Sequence, residues 1–333
     1  MKAILKAALA FGALAAVTAP AAAQDWPSKP ITIIVPWSAG GSTDQVTRVV
    51  AGELEDALGA TVVVQNQPGA SGSIGSKSAL DAPRDGYTWT AGAAQDLGTY
   101  AVLDMLDTTI DDWHLYLDVA NVAVVGVSAN APYQDMGEFL AAMQDNPDGL
   151  TVATAGLNSG GHNAIEAIRA IAGGNYKHVT YDGGNPAVIA TVSGETQATT
   201  QLAVEQAEMI RAGRIRPLAV LNDQALALEG YGDIPPITEW LPEFQAAPNY
   251  FGVFVPKGVP DDVVAKLDEV WSTAIADSQA LKDYAAGRGA VFAPFYGDDA
   301  QERVQPAIRT NAWLLYDGGK AKTSPDDVGI PRP

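Results

Sequence analysis

The sequence predicts a two-domain α/β protein, and three observations carry that reading. Strand-like and helix-like stretches alternate from residue 31 onward, which argues for a largely parallel sheet. The chain has 333 residues, more than one ordinary core holds. A strand, a small-residue loop and a helix start occur once at 31–58 and again at 150–172.

Residues 1–23 read as a signal peptide rather than as part of the fold. Lys2 and Lys6 form a basic start, 7–17 is an apolar core too short to span a bilayer, and Ala21, Ala22 and Ala23 supply a small-residue cleavage site before Gln24. The mature chain is expected to start near Gln24 and to be exported to the periplasm. No later stretch is long and apolar enough for a span.

In order, Ile31–Val35 is a buried strand that runs into a glycine-rich turn. A helix follows over 44–58, with Val46, Val49, Val50, Leu54, Ala57 and Leu58 at helical spacing. A strand is expected at 61–64, a helix at 74–80 and a strand at 87–91. The near-continuous apolar run at 122–127 suits a central strand. Then come a helix at 136–144, a turn at 146–149, a strand at 150–154, a loop at 155–161 and a helix at 163–172. A short strand at 178–180 precedes the turn Asp182, Gly183, Gly184 and a helix at 186–192. Helix 205–211, strands 216–220 and 251–255, the amphipathic helix 261–276, and helices near 278–286 and 298–314 complete the chain.

The chain carries 20 Lys+Arg against 39 Asp+Glu and no cysteine. Both leader lysines are lost on cleavage, so 18 basic side chains face 39 acidic ones, a net charge of −21. Binding to nucleic acid or to an anionic membrane is disfavoured. Without cysteine, an exported chain holds together by core burial alone and has no thiol nucleophile.

The stretch ITIIVPWSAGGSTD at 31–44 points to binding. A strand that delivers Gly40 and Gly41 to a helix start makes a cup of unpaired N–H groups, and the helix dipole adds to its attraction for anions. The loop at 154–163 offers a second such start, so two cups across a cleft would grip a small anion. Each charge-assisted hydrogen bond contributes about 1.5–3 kcal/mol. Three or four offset an association cost of at least ~4 kcal/mol and leave micromolar binding, about −8 kcal/mol.

Seven motifs in order, WPSKPITIIVPWSAGGSTD, VVVQNQPGASGSIGS, PRDGYTW, ATAGLNSGGHNAIEAI, VTYDGGNPAV, RAGRIRPLAV and NYFGVFVPKGVP, resemble the extracytoplasmic solute receptors of tripartite tricarboxylate transporters, the Bug family. The resemblance covers nearly all of the mature chain. It implies a type II periplasmic-binding-protein fold, with two α/β domains, a central cleft and two crossover strands. The domains would comprise 24–126 with 249–333, and 127–248, with crossings near 125–129 and 247–251. It also implies a small organic carboxylate ligand held by backbone amides, hydroxyls and waters, and a membrane permease as partner. A monomer without cofactor or metal is expected.

By resemblance the contacts map onto Trp37, Gly40, Gly41, Ser42, Thr43, Asp44, Ala70, Ser71, Ala93, Ala94, Gln95, Asn158, Ser159, His162, Tyr181 and Gly183. The family pattern commonly has Phe at Trp37, Lys or Arg at Asp182 and Asp at Gln197. These departures bear on the ligand more than on the fold.

Plainer readings stand beside several of these. Asp44 reads as a helix cap. His162 reads about two to one as a hydrogen-bonded first-turn residue. Trp37 and Tyr181 could line the ligand or be core or rim aromatics. Gly69, Gly72 and Gly75 have the wrong spacing for a dinucleotide loop. Asp111, Asp112 and His114 read as a solvated turn rather than a metal site. Two rival functions remain: a carboxylate receptor feeding a sensor, and a secreted hydrolase. The hydrolase reading lacks a G-x-S-x-G motif and has only three histidines to draw on.

Overall fold

The computed structural model describes residues 26–145 and 150–333; the leader and the turn at 146–149 lie outside the described residues. In chain order the strands are β1 (Ile31–Val35), β2 (Val62–Asn66), β3 (Thr88–Ala93), β4 (Trp113–Asn121), β5 (Val124–Ser128), β6 (Thr151–Thr154), β7 (Lys177–Thr180), β8 (Ala198–Thr199), β9 (Ile215–Val220), β10 (Leu226–Leu228), β11 (Gly232–Ile234), β12 (Asn249–Pro256) and β13 (Val291–Phe292). The helices are α1 (Ser42–Leu58), α2 (Ser73–Leu80), α3 (Ala94–Thr99), α4 (Met136–Asp145), α5 (Gly160–Ala172), α6 (Gly184–Ser193), α7 (Ala203–Arg211), α8 (Asp261–Val270), α9 (Gln279–Arg288) and α10 (Gly297–Asp317).

Two large sheets, in the orders β13-β4-β12-β3-β1-β2 and β7-β6-β8-β5-β9, organise these elements, and β10 and β11 pair separately as an antiparallel ribbon. Apart from β13 the two large sheets share one plan. β1 pairs in parallel with β2 and β3, and β6 with β7 and β8. The fourth strand of each, β12 or β5, is antiparallel to both neighbours. These two strands arrive from the other sheet, so the parallel order expected from the alternation is broken only where the chain crosses, and by β13 at an edge.

Both faces of each sheet are covered, which explains the near-continuous apolar strands. Ile31, Ile33 and Val35 pack with Val46, Val50 and Leu54 of α1 and Val263 and Leu267 of α8. On the opposite face Ile34, Leu115, Leu117 and Phe254 meet Val304 and Ile308 of α10. In the second sheet Val125, Val127 and Val152 meet Phe139 of α4 and Ile165 and Ile168 of α5. Val124, Val220, Val188 of α6 and Ile210 of α7 fill its other side. Each fully buried side chain of this size contributes about 1.5–3 kcal/mol.

The structure adds α3, β8, β10, β11 and β13, which the sequence reading did not anticipate, and four further differences follow. The apolar run at 122–127 is not one strand: β4 ends at Asn121 in the first sheet and β5 starts at Val124 in the second, so the first crossing is at Val122 and Ala123, ahead of the 125–129 expected. β4 itself was not anticipated, because His114 and Asp118 interrupt its apolar alternation; Asp118 is nevertheless buried. α5 starts at Gly160 rather than 163, because the Ser159 hydroxyl accepts from the His162 N–H at 3.3 Å and sets the cap there. The helix expected over 261–276 runs from α8 into a π turn at Trp271–Ile275, where Trp271 Nε1 donates to the Leu117 carbonyl at 2.6 Å.

One glycine is dictated by packing. β12 shifts register against β4 between Phe251 and Gly252, and a Cβ at Gly252 would collide with the Tyr116 carbonyl oxygen.

Candidate functional site

Every loop at the site leaves the carboxyl end of a parallel strand. β1 leads to α1, β3 to α3, β6 to α5, β7 to α6 and β8 to α7. Open α/β sheets place ligands beyond those ends, because the helix starts that follow them point there. Between the two sheets lies a cavity of about 30 Å³. Trp37, Gly41, Ser42, Thr43, Ala93, Asp96 and Phe251 line it from the first sheet's side. Ala155, Ser159, Gly160, Gly184, Gln201, Leu202 and Glu205 line it from the second. Neither Lys, Arg nor His is among them.

The turn before α1 is built by its own acid. Asp44 Oδ2 accepts from the Gly40 N–H at 2.9 Å, and its Oδ1 takes Asn66 Nδ2 at 3.0 Å and the Arg48 guanidinium at 2.8 Å. These bonds outweigh its burial and hold the Asp44 carboxyl below its ordinary range. Gly40 adopts φ +81°, where a side chain would be strained.

The second sheet presents three helix starts, those of α5, α6 and α7, and α6 faces α1 most directly. The Ser38 N–H donates to the Asp182 carbonyl at 3.0 Å, and a Cβ on Gly183 would lie 3.2 Å from the Ser38 nitrogen. A carboxylate already sits between these starts, and it is the protein's own. Glu205 Oε1 accepts from the Ser42 N–H at 3.1 Å, and Oε2 from the Leu202 N–H at 3.3 Å. With its amide nitrogen turned inward, Gln201 donates to Oε2 at 3.0 Å. The carboxylate rests against Gly184, where a Cβ would overlap it. Burial pushes the Glu205 carboxyl above its ordinary value, opposed by the two N–H groups. Asp96 is 5% exposed, its Oδ1 has no partner, and burial pushes its carboxyl well up.

The expected residues divide by position. Trp37, Gly41, Ser42, Thr43, Ala93 and Ser159 line the cavity. Gly40, Asp44 and Gly183 shape the facing turns just described. Ala94 opens α3 beside Ala93. Ala70 and Ser71 have φ of +46° and +52°, and Ser71 Oγ abuts Gly156 of the other sheet, 2.7 Å from where a Cβ would stand. Asn158 is a bridge between the lobes: Thr99 Oγ1 donates to its Oδ1 at 2.7 Å, and its Nδ2 donates to the Asp96 carbonyl at 3.4 Å. Tyr181 is turned away, its hydroxyl donating to Glu195 at 2.9 Å.

His162 fits the plainer reading in its geometry. It is fully buried, its Nδ1 accepts from the Asn158 N–H at 3.3 Å, and its ring stacks on His178 at 4.6 Å. Burial lowers His162 to about 3 and His178 to about 4. Asp112, weighed as a metal ligand, accepts from the Thr109 N–H at 2.7 Å and closes a capping box. No group of three potential metal ligands occurs among the described residues.

Sequence reasoning missed Asp96, Gln201, Leu202, Glu205 and Phe251. Asp96 lies one residue beyond the motif's contact stretch. Glu205 sits on the first turn of an ordinary helix, where an acid reads as a cap. Gln95 borders a larger cavity of about 520 Å³ beside the crossings, with Asn121, Asn163, Phe244, Asn249 and Tyr250 in its wall.

Two α/β lobes that meet over helix starts at the carboxyl ends of their strands leave between them a site suited to a small solute. The model for the tripartite tricarboxylate transporter family receptor, TctC, matches residues 46–307. The chain belongs to this family. It is 33% identical over 273 residues to a UPF0065 protein from the tcbD-tcbE intergenic region of a Pseudomonas species, covering 79% of this chain and 80% of that one. It is 30% identical over 281 residues to the protein BugT of Bordetella pertussis, covering 83% and 85%. Among solved structures, MatC from Rhodopseudomonas palustris with bound malate aligns with TM-score 0.79 at 25% identity, over 87% of this chain and all of the other (100%). A second R. palustris protein, solved with adipate, aligns with TM-score 0.80 at 25% identity, over 89% and 99%. Among the described residues, no helix is long and apolar enough to cross a membrane.

Proposed function

We propose that this chain is a periplasmic receptor that captures a small organic carboxylate in the interlobe cavity and delivers it to a tripartite tricarboxylate-type permease. It would act as a monomer, without cofactor or catalysis. The observation that carries the reading is the seating of a carboxylate, that of Glu205, between the starts of α1 and α6. A carboxylate from solution has the same needs: N–H donors, a helix dipole and shelter from water. The malate and adipate of the two neighbours support that ligand class. The ligand would touch Trp37, Gly41, Ser42, Thr43, Ala93 and Ser159, with Gly40, Asp44 and Gly183 shaping its walls. The lobes, 24–126 with 249–333 and 127–248, would hinge at the crossings.

A thermal-shift screen of mono-, di- and aromatic carboxylates, alongside neutral sugars and polyamines, tests the reading. A ligand that binds only the folded state raises Tm, by about 2.7 kcal/mol of stabilisation at a hundred times Kd. Carboxylates are expected to raise it, and sugars or polyamines to leave it unchanged. Stabilisation by a sugar or polyamine alone would sink the proposal. Cross-linking to the permease subunits separates transport from sensing.

A further inference from the structure

The larger cavity, of about 520 Å³, has the size of a small-molecule pocket. It is separate from the cleft: Gly160 and Leu202 border both spaces, while Trp37, Ser42 and Glu205 border only the smaller one. Both lobes and both crossings wall it. Val122, Ala123, Ala247 and Pro248 come from the crossings, and Ala167 of α5 lines it together with Leu314 of α10.

Its wall has two kinds of surface. Phe244, Tyr250 and Phe292 line it and stay only half-buried, apolar surface that a closed core would cover. Gln95, Asn121, Asn163 and Asn249 line it as buried amides. Asn121 and Asn249 pair across β4 and β12. Asn249 Nδ2 and Gln95 Nε2 both crowd Gly160, 3.0 and 3.8 Å from where a Cβ would stand, and Asn163 lies one turn further along α5. The four amides therefore form one patch. Gln95 Nε2, Asn163 Oδ1, Asn249 Oδ1 and both polar side-chain atoms of Asn121 have no partner and are shut from solvent. Unpaired buried polar atoms are costly. No hydrogen bond holds the Asn121 amide, and the last torsion of an asparagine is soft, so it can turn towards the cavity it lines without giving up a bond. The charged side chains of the wall are Asp223 and Arg303. Asp223 is exposed, and Arg303 is held by Asp299 at 2.8 Å and lies 3.7 Å over the Phe295 ring. No unspent charge is left inside for an ion, whereas amide donors and acceptors are left together.

We infer that this cavity is a second binding site, for an uncharged solute with a flat apolar body and a carboxamide group. A carboxamide offers an acceptor beside two N–H donors, the complement of the Asn121 amide. The apolar body covers Phe244, Tyr250 and Phe292, and Asn121 reads the amide. The site stands apart from the receptor reading, since none of the residues proposed to touch the carboxylate borders it.

Calorimetric titration of the mature chain with two matched pairs tests this: benzamide against benzoate, and indole-3-acetamide against indole-3-acetate. Each pair exchanges an amide for a carboxylate on one skeleton. At least one amide is expected to bind wild type. Ala167→Phe, whose ring fills the cavity, should weaken that amide ten-fold or more. Asn121→Leu keeps the side chain's shape without its amide; it should weaken the amide by as much while Tm stays at or above that of wild type, because an unpaired buried amide does not hold the fold. Asn249→Leu gives the same readout if Asn121→Leu melts early. Any binding of the carboxylates, which belongs to the cleft, should be the same in wild type and variants. Failure of both amides to bind, wild-type amide affinity in Ala167→Phe or in the leucine variant, or an equal loss of carboxylate binding in Ala167→Phe overturns the inference, and each leaves the receptor reading standing.

Discussion

At the residue scale, the stacked pair His162 and His178 is the clearest case of chemistry that position decides. His162 Nε2 lies 3.8 Å from Glu166, whose carboxylate is held by Arg169 at 2.6 Å and the Tyr176 hydroxyl at 2.7 Å, with Lys320 at 3.8 Å. With that acid already partnered, both imidazoles stay neutral. Their folded values of about 3 and about 4 lie below the ordinary 6.5. The unfolded chain therefore takes up protons between pH 6.5 and 4 that the folded chain refuses, and stability falls as pH drops through that window. Two such groups set a limiting slope of about 2.7 kcal/mol per pH unit. Buried Asp118, raised to about 7, works against it, since the folded chain takes up its proton first. Replacing His178 by Gln is expected to make the acid limb shallower when calorimetric Tm is followed from pH 7 to 4. An unchanged limb would mean that other groups govern it. Ser159 shows the same dependence on position: its hydroxyl donates to the Gly156 carbonyl at 2.8 Å and caps α5, so its proton is already engaged.

Helix starts are the elements that make the site, and glycine lets them approach. α1 and α6 come from different lobes, yet Gly41 and Gly184 bring their first turns within reach of one carboxylate. A Cβ on Gly184 would occupy the place of the Glu205 carboxyl, so Gly184→Val should displace that carboxyl and break its bond to the Ser42 N–H across the cleft. Solute binding should weaken by ten-fold or more while the far-UV dichroism stays that of wild type, because the change lies at a helix start rather than in a core. Wild-type affinity in this variant would mean that α6 does not bear on the bound solute.

For the whole molecule, the lobes are latched by a few bonds across the cleft: Ser38 to Asp182, Ser42 to Glu205 and Thr99 to Asn158. The space of about 30 Å³ between the lobes is large enough for water but too small for an organic acid, so the lobes must part to take a solute in. Asn158→Ala removes one latch and is expected to enlarge the solute-free radius of gyration in small-angle scattering, with saturating solute restoring the smaller value. Identical solute-free profiles for the variant and wild type would show that this latch does not hold the closed form.

The sequence by itself determined the alternating α/β plan, the glycine-rich start of α1 and, through seven ordered motifs, the family. Those signals are local: an apolar period, a cap or a turn is written in consecutive residues. It also pointed to Trp37, Gly41, Ser42, Thr43, Ala93 and Ser159, all but Ala93 within one of the seven motifs and each at a strand's end. Only the tertiary structure decided that the run at 122–127 opens on a crossing and enters the second sheet at Val124, since an apolar strand looks alike in either sheet. Only it decided that Asn158 bridges the lobes, that Tyr181 turns outward and that Glu205 reaches the start of α1. Glu205 and Ser42 are 163 residues apart in the chain. Their meeting depends on how two separately folded sheets close on each other, and no local pattern encodes that distance.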